Sequence, residues 1–316
     1  MVVLSKHLLS FFAFTQHMLF KIRSFTNEDL SNLVNLLNEA RRGSYEFFPY
    51  TEEGLRNWIS ERRLRILIVV ENGKVLGSVA YSDGQWGEEI RWLTVLGSPN
   101  QRRIEDELAK EVEMYVKGTT VFTVVDEGNP KIGEWIERGY RLEGGLYQMI
   151  AQLDGVKPLP KPPEGVILCS LKHDEEKEFV EAVNAGFGWE RLKMGIIQRW
   201  KTENPPFDEE WVHLAKCNGR IVSVVASRPD TNYNNVYGGR RGYLGPATTL
   251  AEYRNKHLAS ILTVRAMNFL FEKGMDSVAL HTSEQNVPST TLLQRLGFKI
   301  GHHWKFLRKN LSQTEQ

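Results

Sequence analysis

The densest grouping of chemically usable residues in this 316-residue chain runs from Ala247 through Thr249, Arg254, Asn255, Lys256, His257, Leu258 and Ala259 to Ser260. Two full positive charges and an imidazole fall within four residues, directly ahead of a run that reads as a helix. In that run Ile261, Leu262, Val264, Met267, Phe269, Leu270 and Phe271 recur at the spacing of an amphipathic helix. A loop that feeds a helix N-terminus presents unpaired backbone N–H groups and the positive end of the helix dipole. Both stabilise an anion such as a pyrophosphate. Arg254 and Lys256 add charge beside them, and Ala259 leaves room for close backbone approach.

Other groups carry weaker signals. Glu284 follows an expected strand over Ser277–Thr282 and has the chemistry of a general base. The other reading, a surface carboxylate before a loop, is the better supported of the two. His281, on the same strand, could do the same work or be a packed strand histidine. His302 and His303 lack metal-ligand spacing, and no metal is expected. Cys169 and Cys217 read as reduced core thiols of a cytoplasmic protein. Phe47, Phe48, Tyr50, Trp86 and Trp92 could line a pocket or fill a core.

The elements that must position these residues are repeated. Asn72-Gly73 and Asn218-Gly219 each sit between apolar, β-branched runs, the mark of a two-residue hairpin. Further on, Asn129-Pro130 ahead of Trp135 to Tyr140 matches Asn286-Val287-Pro288 ahead of Leu292 to Phe298. Order and offset agree, so the chain reads as a tandem repeat. Between the copies, residues 154–165 hold four of the twelve prolines, a composition that favours an extended spacer. The reading is therefore residues 1–19 as a leader or mis-assigned start, 20–153 as the first copy and 154–165 as linker. Residues 166–311 form the second copy and 312–316 a tail. Each copy has the pattern of a mixed, mostly antiparallel sheet flanked by helices, an α/β fold. Forty Lys and Arg against thirty-nine Asp and Glu give no global field for nucleic acid or anionic lipid. The apolar stretch Leu8–Phe14 is too short to span a bilayer.

Arg254-x-x-His257-x-Ala259 after a strand resembles the Arg/Gln-x-x-Gly-x-Gly/Ala loop of the GNAT acetyltransferase superfamily. Leu250 to Arg254 resembles that family's lead-in, and Asn286 through Leu296-Gly297-Phe298 its close. The resemblance covers Val166 to Leu307, and extends more weakly over Phe20 to Leu153. It implies two tandem acetyltransferase-like domains, the first degenerate. It also implies acetyl-CoA held by Ala247, Thr249, Arg254–Ser260 and Asn286 of the second, with transfer to an amine, a small molecule or a protein N-terminus. Glu284 would take the amine proton. Two positions depart from the family pattern: His257 stands for glycine, and Leu293 for a tyrosine that protonates the leaving thiolate. In the first copy, Glu105 and Asp106 set negative charge where a phosphate would sit. A non-catalytic acyl-CoA-binding protein and a tRNA-dependent aminoacyl transferase are the alternative readings.

Overall fold

The computed structural model describes residues 20–71, 73–84 and 87–311; the leader, the tail, Asn72 and Trp86 lie outside the described residues. In the first half, β1 (Lys21–Ser24) leads to Thr26, whose N–H and hydroxyl both donate to the Asp29 carboxylate at 2.9 Å. This turn opens α1 (Leu30–Arg41), which buries Leu30, Leu33, Val34, Leu36 and Leu37 on one face. Thr51 starts α2 (Glu52–Glu61) by accepting from Gly54 N–H at 3.1 Å. Then follow β2 (Arg65–Glu71), β3 (Lys74–Gly84), β4 (Gly87–Val95), α3 (Gln101–Glu113), β5 (Thr120–Asp126), α4 (Lys131–Glu137) and β6 (Arg141–Gln152).

The second half repeats the order with β7 (Val166–Ser170), α5 (Glu176–Phe187), α6 (Ile196–Glu203), β8 (Val212–Cys217) and β9 (Arg220–Pro229). A helix with no counterpart in the first half, α7 (Thr231–Tyr237), interrupts the series before β10 (Arg241–Thr249). It then continues with α8 (Leu258–Glu272), β11 (Ser277–Ser283), α9 (Val287–Arg295) and β12 (Lys299–Asn310). Asn218 and Gly219 both have positive φ, 51° and 79°, as the tight turn between β8 and β9 requires.

The described residues form two compact units, one of residues before 144 together with those from 306 onward, the other of residues 144–305. The expected boundary at 154–165 is therefore displaced, and strand pairing is the reason. Leu146 to Gln152 of β6 pair antiparallel with Ser283 to Ser277 of β11, which ties that strand to the second unit. At the other end, Leu307 is buried among Ile90, Leu108 and Val121 of the first unit, and Leu311 N–H donates to Thr119 O at 2.8 Å. Each unit thus completes its sheet with a strand from the opposite half of the sequence.

In the first unit the strand order is β1-β2-β3-β4-β5, followed by the end of β12. Pairing is antiparallel from β1 to β4 and parallel between β4 and β5. The second unit orders its strands β6-β11-β10-β9-β8-β7. There β10 and β11 are parallel and the rest antiparallel. Its core gathers Phe179, Trp211, Leu262, Met267, Val278 and Phe298. The two units are thus tandem α/β domains, each with a mixed, mostly antiparallel sheet flanked by helices.

The proline-rich segment is anchored within the second unit. Lys157 N–H donates to Asn268 Oδ1 at 2.8 Å, and Asn268 Nδ2 donates to Lys157 O at 2.7 Å. Asn268→Leu removes both bonds and is expected to cost about 1–2 kcal/mol, measured by urea unfolding. An unchanged midpoint would mean that the clamp contributes nothing.

Candidate functional site

Strand β10 carries the geometry that matters. Its parallel pairing with β11 covers only Arg241↔Ser277, Gly242↔Val278 and Tyr243↔Ala279. β10 continues to Thr249 and β11 to Ser283, so the two strands part after Tyr243. A register shift against β9 between Leu244 and Ala247 turns the edge of β10 at the same point. Backbone groups on that edge therefore face an opening between two strands of one sheet.

The loop beyond Thr249 lies at the mouth of this opening. A short 3-10 turn (Ala251–Tyr253) leads to Asn255 and His257, both left-handed at φ 60°. Alternation of ordinary and left-handed residues aims successive N–H groups at one point. The first bond of α8 runs from Ile261 N–H to His257 O at 3.0 Å, and no side chain caps the helix. The N–H groups of Leu258, Ala259 and Ser260 thus have no acceptor within the helix. His257 explains itself here: the position needs the conformation that glycine adopts without cost, and its exposed imidazole is carried in that conformation regardless.

Arg254 is tied down. Its Nε donates to Thr249 O at 3.3 Å and its Nη2 to Gly186 O at 3.2 Å, joining the end of β10 to α5. Gly186 is required behind it, since a Cβ there would overlap Thr248. Lys256 stands over the Tyr253 ring at 5.0 Å and is exposed. Ala247 is exposed, whereas the Thr249 hydroxyl turns back to Ser223 Oγ at 2.8 Å. Asn286 is placed differently from the rest. Its Oδ1 accepts from Ser289 N–H at 3.3 Å and caps α9. Leu293 is buried in the core, so α9 offers no proton donor at that position.

Glu284 sits in a cluster of its own. Its Oε2 lies 2.6 Å from His303 Nε2 and accepts from Lys305 Nζ at 3.0 Å. Burial alone would raise this carboxyl, but the hydrogen bonds from Lys305 and His303 outweigh it and hold the group below the usual carboxylate range. A carboxylate so stabilised is a poor proton acceptor. Gly145 is packed against the same cluster, where a Cβ would strike Trp304 O.

A different pair stands where β10 and β11 part. Tyr243 Oη and His281 Nδ1 are 3.0 Å apart. Burial pushes the Tyr243 phenol above its ordinary value, although Arg228 pulls the other way. The phenol is therefore neutral at physiological pH, and with the His281 proton on Nε2 it donates to Nδ1. The guanidinium of Arg228 lies over the Tyr243 ring at 4.3 Å, and the His281 ring packs edge-on to Trp304 at 5.4 Å. Sequence reasoning weighed His281 as a solitary strand histidine; the signal missed was its place two residues beyond the partner of Tyr243 on the neighbouring strand.

The equivalent helix start in the first unit is filled by the protein's own charges. Arg102 bonds Asp106 at 3.0 Å and pairs with Glu137 at 3.0 Å. The buried Glu105 takes Lys131 at 2.8 Å, and Arg138 bonds Asp106 at 2.8 Å. Internal carboxylates hold every one of these cations. Elsewhere in that unit, Tyr50, Trp58 and Trp92 pack edge-on or stacked within 6.0 Å of one another. Among the described residues, no helix is long and apolar enough to cross a membrane.

Residues 169–298 match the sequence profile of the Acetyltransferase (GNAT) family. A mycothiol acetyltransferase of Saccharomonospora viridis is 27% identical over 148 residues, which is 45% of this chain and 48% of that protein. The N-alpha-acetyltransferase MAK3 of Arabidopsis thaliana is 31% identical over 86 residues, 27% of this chain and 41% of its own. The chain spans about half the length of the first of these curated relatives and less of the second. A tandem GNAT protein from the clavulanic acid biosynthesis pathway, solved without acetyl-CoA, shares the fold. Its TM-score is 0.62 at 16% identity, over 94% of this chain and 100% of that one. The matched segment covers the β10 opening, the loop and α8, and supports a GNAT superfamily assignment for the second unit.

Proposed function

We propose that the second unit binds acetyl-CoA along Ala247 and Arg254–Ser260 and transfers its acetyl group to an amine. The observation that carries this reading is the uncapped start of α8, preceded by two left-handed residues and flanked by Arg254 and Lys256, beside the parted strands. The cofactor's pyrophosphate would sit on the N–H groups of Leu258, Ala259 and Ser260, and its thioester would enter between β10 and β11. There a β10 backbone N–H would polarise the thioester carbonyl and stabilise the oxyanion that forms on attack.

The proton follows the Tyr243–His281 pair. As the amine nitrogen bonds to the carbonyl carbon, its proton passes to Tyr243 Oη, and the phenolic proton passes to His281 Nδ1. Tyr243 ends neutral and His281 ends as the cation. The C–S bond then breaks and the thiolate departs. A phenol with a raised pKa suits this relay, because it never has to exist as the phenolate.

The test is acetyl-CoA affinity by calorimetry on the full chain. Arg254→Glu is expected to weaken binding by about 1.5–3 kcal/mol, through loss of a charge-assisted contact and of the loop's anchorage. Arg102→Glu, whose guanidinium serves internal carboxylates, is expected to leave the affinity within a factor of about two. Equal effects from the two changes would remove the assignment of the cofactor to the second unit.

A further inference from the structure

Two guanidiniums beside the relay lack an anion. Arg228 is paired across the strands with Tyr243 and donates from Nη1 to Gly245 O at 2.7 Å. It lies over the Tyr243 ring at 4.3 Å and the Trp200 ring at 6.0 Å. Arg191, on the loop after α5, lies over Phe187 at 5.5 Å and Trp189 at 5.4 Å, within electrostatic reach of both Arg228 and Tyr243. Among the described residues, neither guanidinium hydrogen-bonds or ion-pairs with a carboxylate.

The acids nearby are committed elsewhere. Asp230 bonds Arg241 at 2.8 Å, and Glu203 bonds Arg199 at 2.6 Å. Burial pulls the Arg228 guanidinium below its ordinary value despite those carboxylates, which is the signature of a cation short of compensation. A buried guanidinium with no carboxylate partner and a second cation within electrostatic reach calls for an anion. The relay sharpens the point, since accepting a proton makes His281 a third cation in the same place.

We propose that the amine acceptor carries an oxyanion, a carboxylate or phosphate, held by Arg191 and Arg228 while its amine faces Tyr243. This rests on the acyl-transfer reading above and names the acceptor class for that site. The planar guanidinium fork matches either oxyanion through two parallel bonds. The exposed Trp189 and its stacked partner Arg191 would form the outer wall. In the bound state the oxyanion offsets the imidazolium that the relay creates, so recognition and proton removal reinforce one another.

Matched amines test this on the full chain with acetyl-CoA: β-alanine against propylamine, and O-phosphoethanolamine against ethanolamine. Thiol release is expected to give the anionic member of at least one pair a kcat/KM roughly tenfold or more higher. The larger ratio identifies the oxyanion as carboxylate or phosphate. Arg191→Glu, on a surface loop, should collapse that ratio toward one; Arg191→Lys should restore part of it, and Lys193→Glu nearby should leave it intact. Thermal unfolding with each amine reads binding without turnover. Neutral amines used as well as their anionic partners would overturn the inference and leave acyl transfer standing. Stabilisation by the anionic amines, lost in Arg191→Glu but with no thiol released, would uphold the inference and overturn acyl transfer. No stabilisation and no preference would overturn the inference outright.

Discussion

His281→Gln is expected to lower kcat for amine acetylation by two to three orders of magnitude, on the order of what a positioned base contributes. Glutamine can still accept a hydrogen bond from Tyr243, but it cannot take the proton. Tyr243→Phe breaks the relay at its other end and is expected to lose a similar factor. Because the proposed relay passes one proton between the two side chains, the double variant should be little worse than either single one. Acetyl-CoA affinity, read separately by calorimetry, should change little, since neither group lies at the start of α8. Glu284→Gln is the control: its carboxylate is held by Lys305 and His303 below the usual range, and its loss should alter kcat by less than about threefold. A large loss from Glu284→Gln with little from His281→Gln would return the base to Glu284 and remove the relay.

The second large effect concerns stability in acid. His213, on β8, is 1% exposed, and its Nε2 lies 3.1 Å from Ser227 Oγ. Ser227 spends its own hydroxyl proton on Trp211 O at 2.9 Å, so His213 must be the donor from Nε2. Its Nδ1 is left buried without a hydrogen bond. Burial, with the nearby charge of Arg265, pulls this histidine down to about 3. The folded state therefore stays neutral there while an unfolded chain takes up a proton below about pH 6.5. With the folded pKa depressed, stability is full above the unfolded value and falls as pH drops toward the folded one. Between pH 7 and pH 5 this single group should remove roughly 2 kcal/mol of unfolding free energy. Asp29 and Glu209, both held at about 2, are lost only at lower pH and do not overlap this window. His213→Phe keeps the ring contact with Phe269 and should flatten the profile between pH 7 and pH 5. An equally steep profile in that variant would place the titration elsewhere.

The sequence carried much of this architecture, because it depends on local pattern. Apolar periodicity from Leu258 onward announces α8, and Arg254 with Lys256 announces a loop that gathers charge. The Asn-Gly turns disclose the repeat because tight hairpins tolerate few other residues. Two things escaped for a common reason, which is that they depend on pairing between distant segments. Tyr243 and His281 meet only because Tyr243 registers with Ala279 on a neighbouring parallel strand. Glu284 looks available until Lys305 and His303, some twenty residues on, are folded against it. Asn286 resembles a ligand-binding amide by spacing, yet the start of a helix is also where an asparagine caps. Helix α7 was missed as well, and with it the neighbourhood of Asp230 and Arg241 that leaves Arg228 without an acid.

The division of strands between the units sets an order on their assembly. A chain made from its N-terminus exposes residues 144–305 in full before Phe306 to Leu311 appear. The second unit then holds every residue it needs, including β6, while the first still lacks the strand that brings Leu307 into its core and Lys309 to Glu113 at 2.7 Å. The half that is synthesised first is thus the half that finishes last. Until then its apolar face over Ile90, Leu108 and Val121 has no cover from that strand, which is the interval in which a nascent chain is open to misassociation and to chaperone capture. A break after Lys305 would hold the first unit in that state permanently, and leave the residues assigned to acyl transfer all in place.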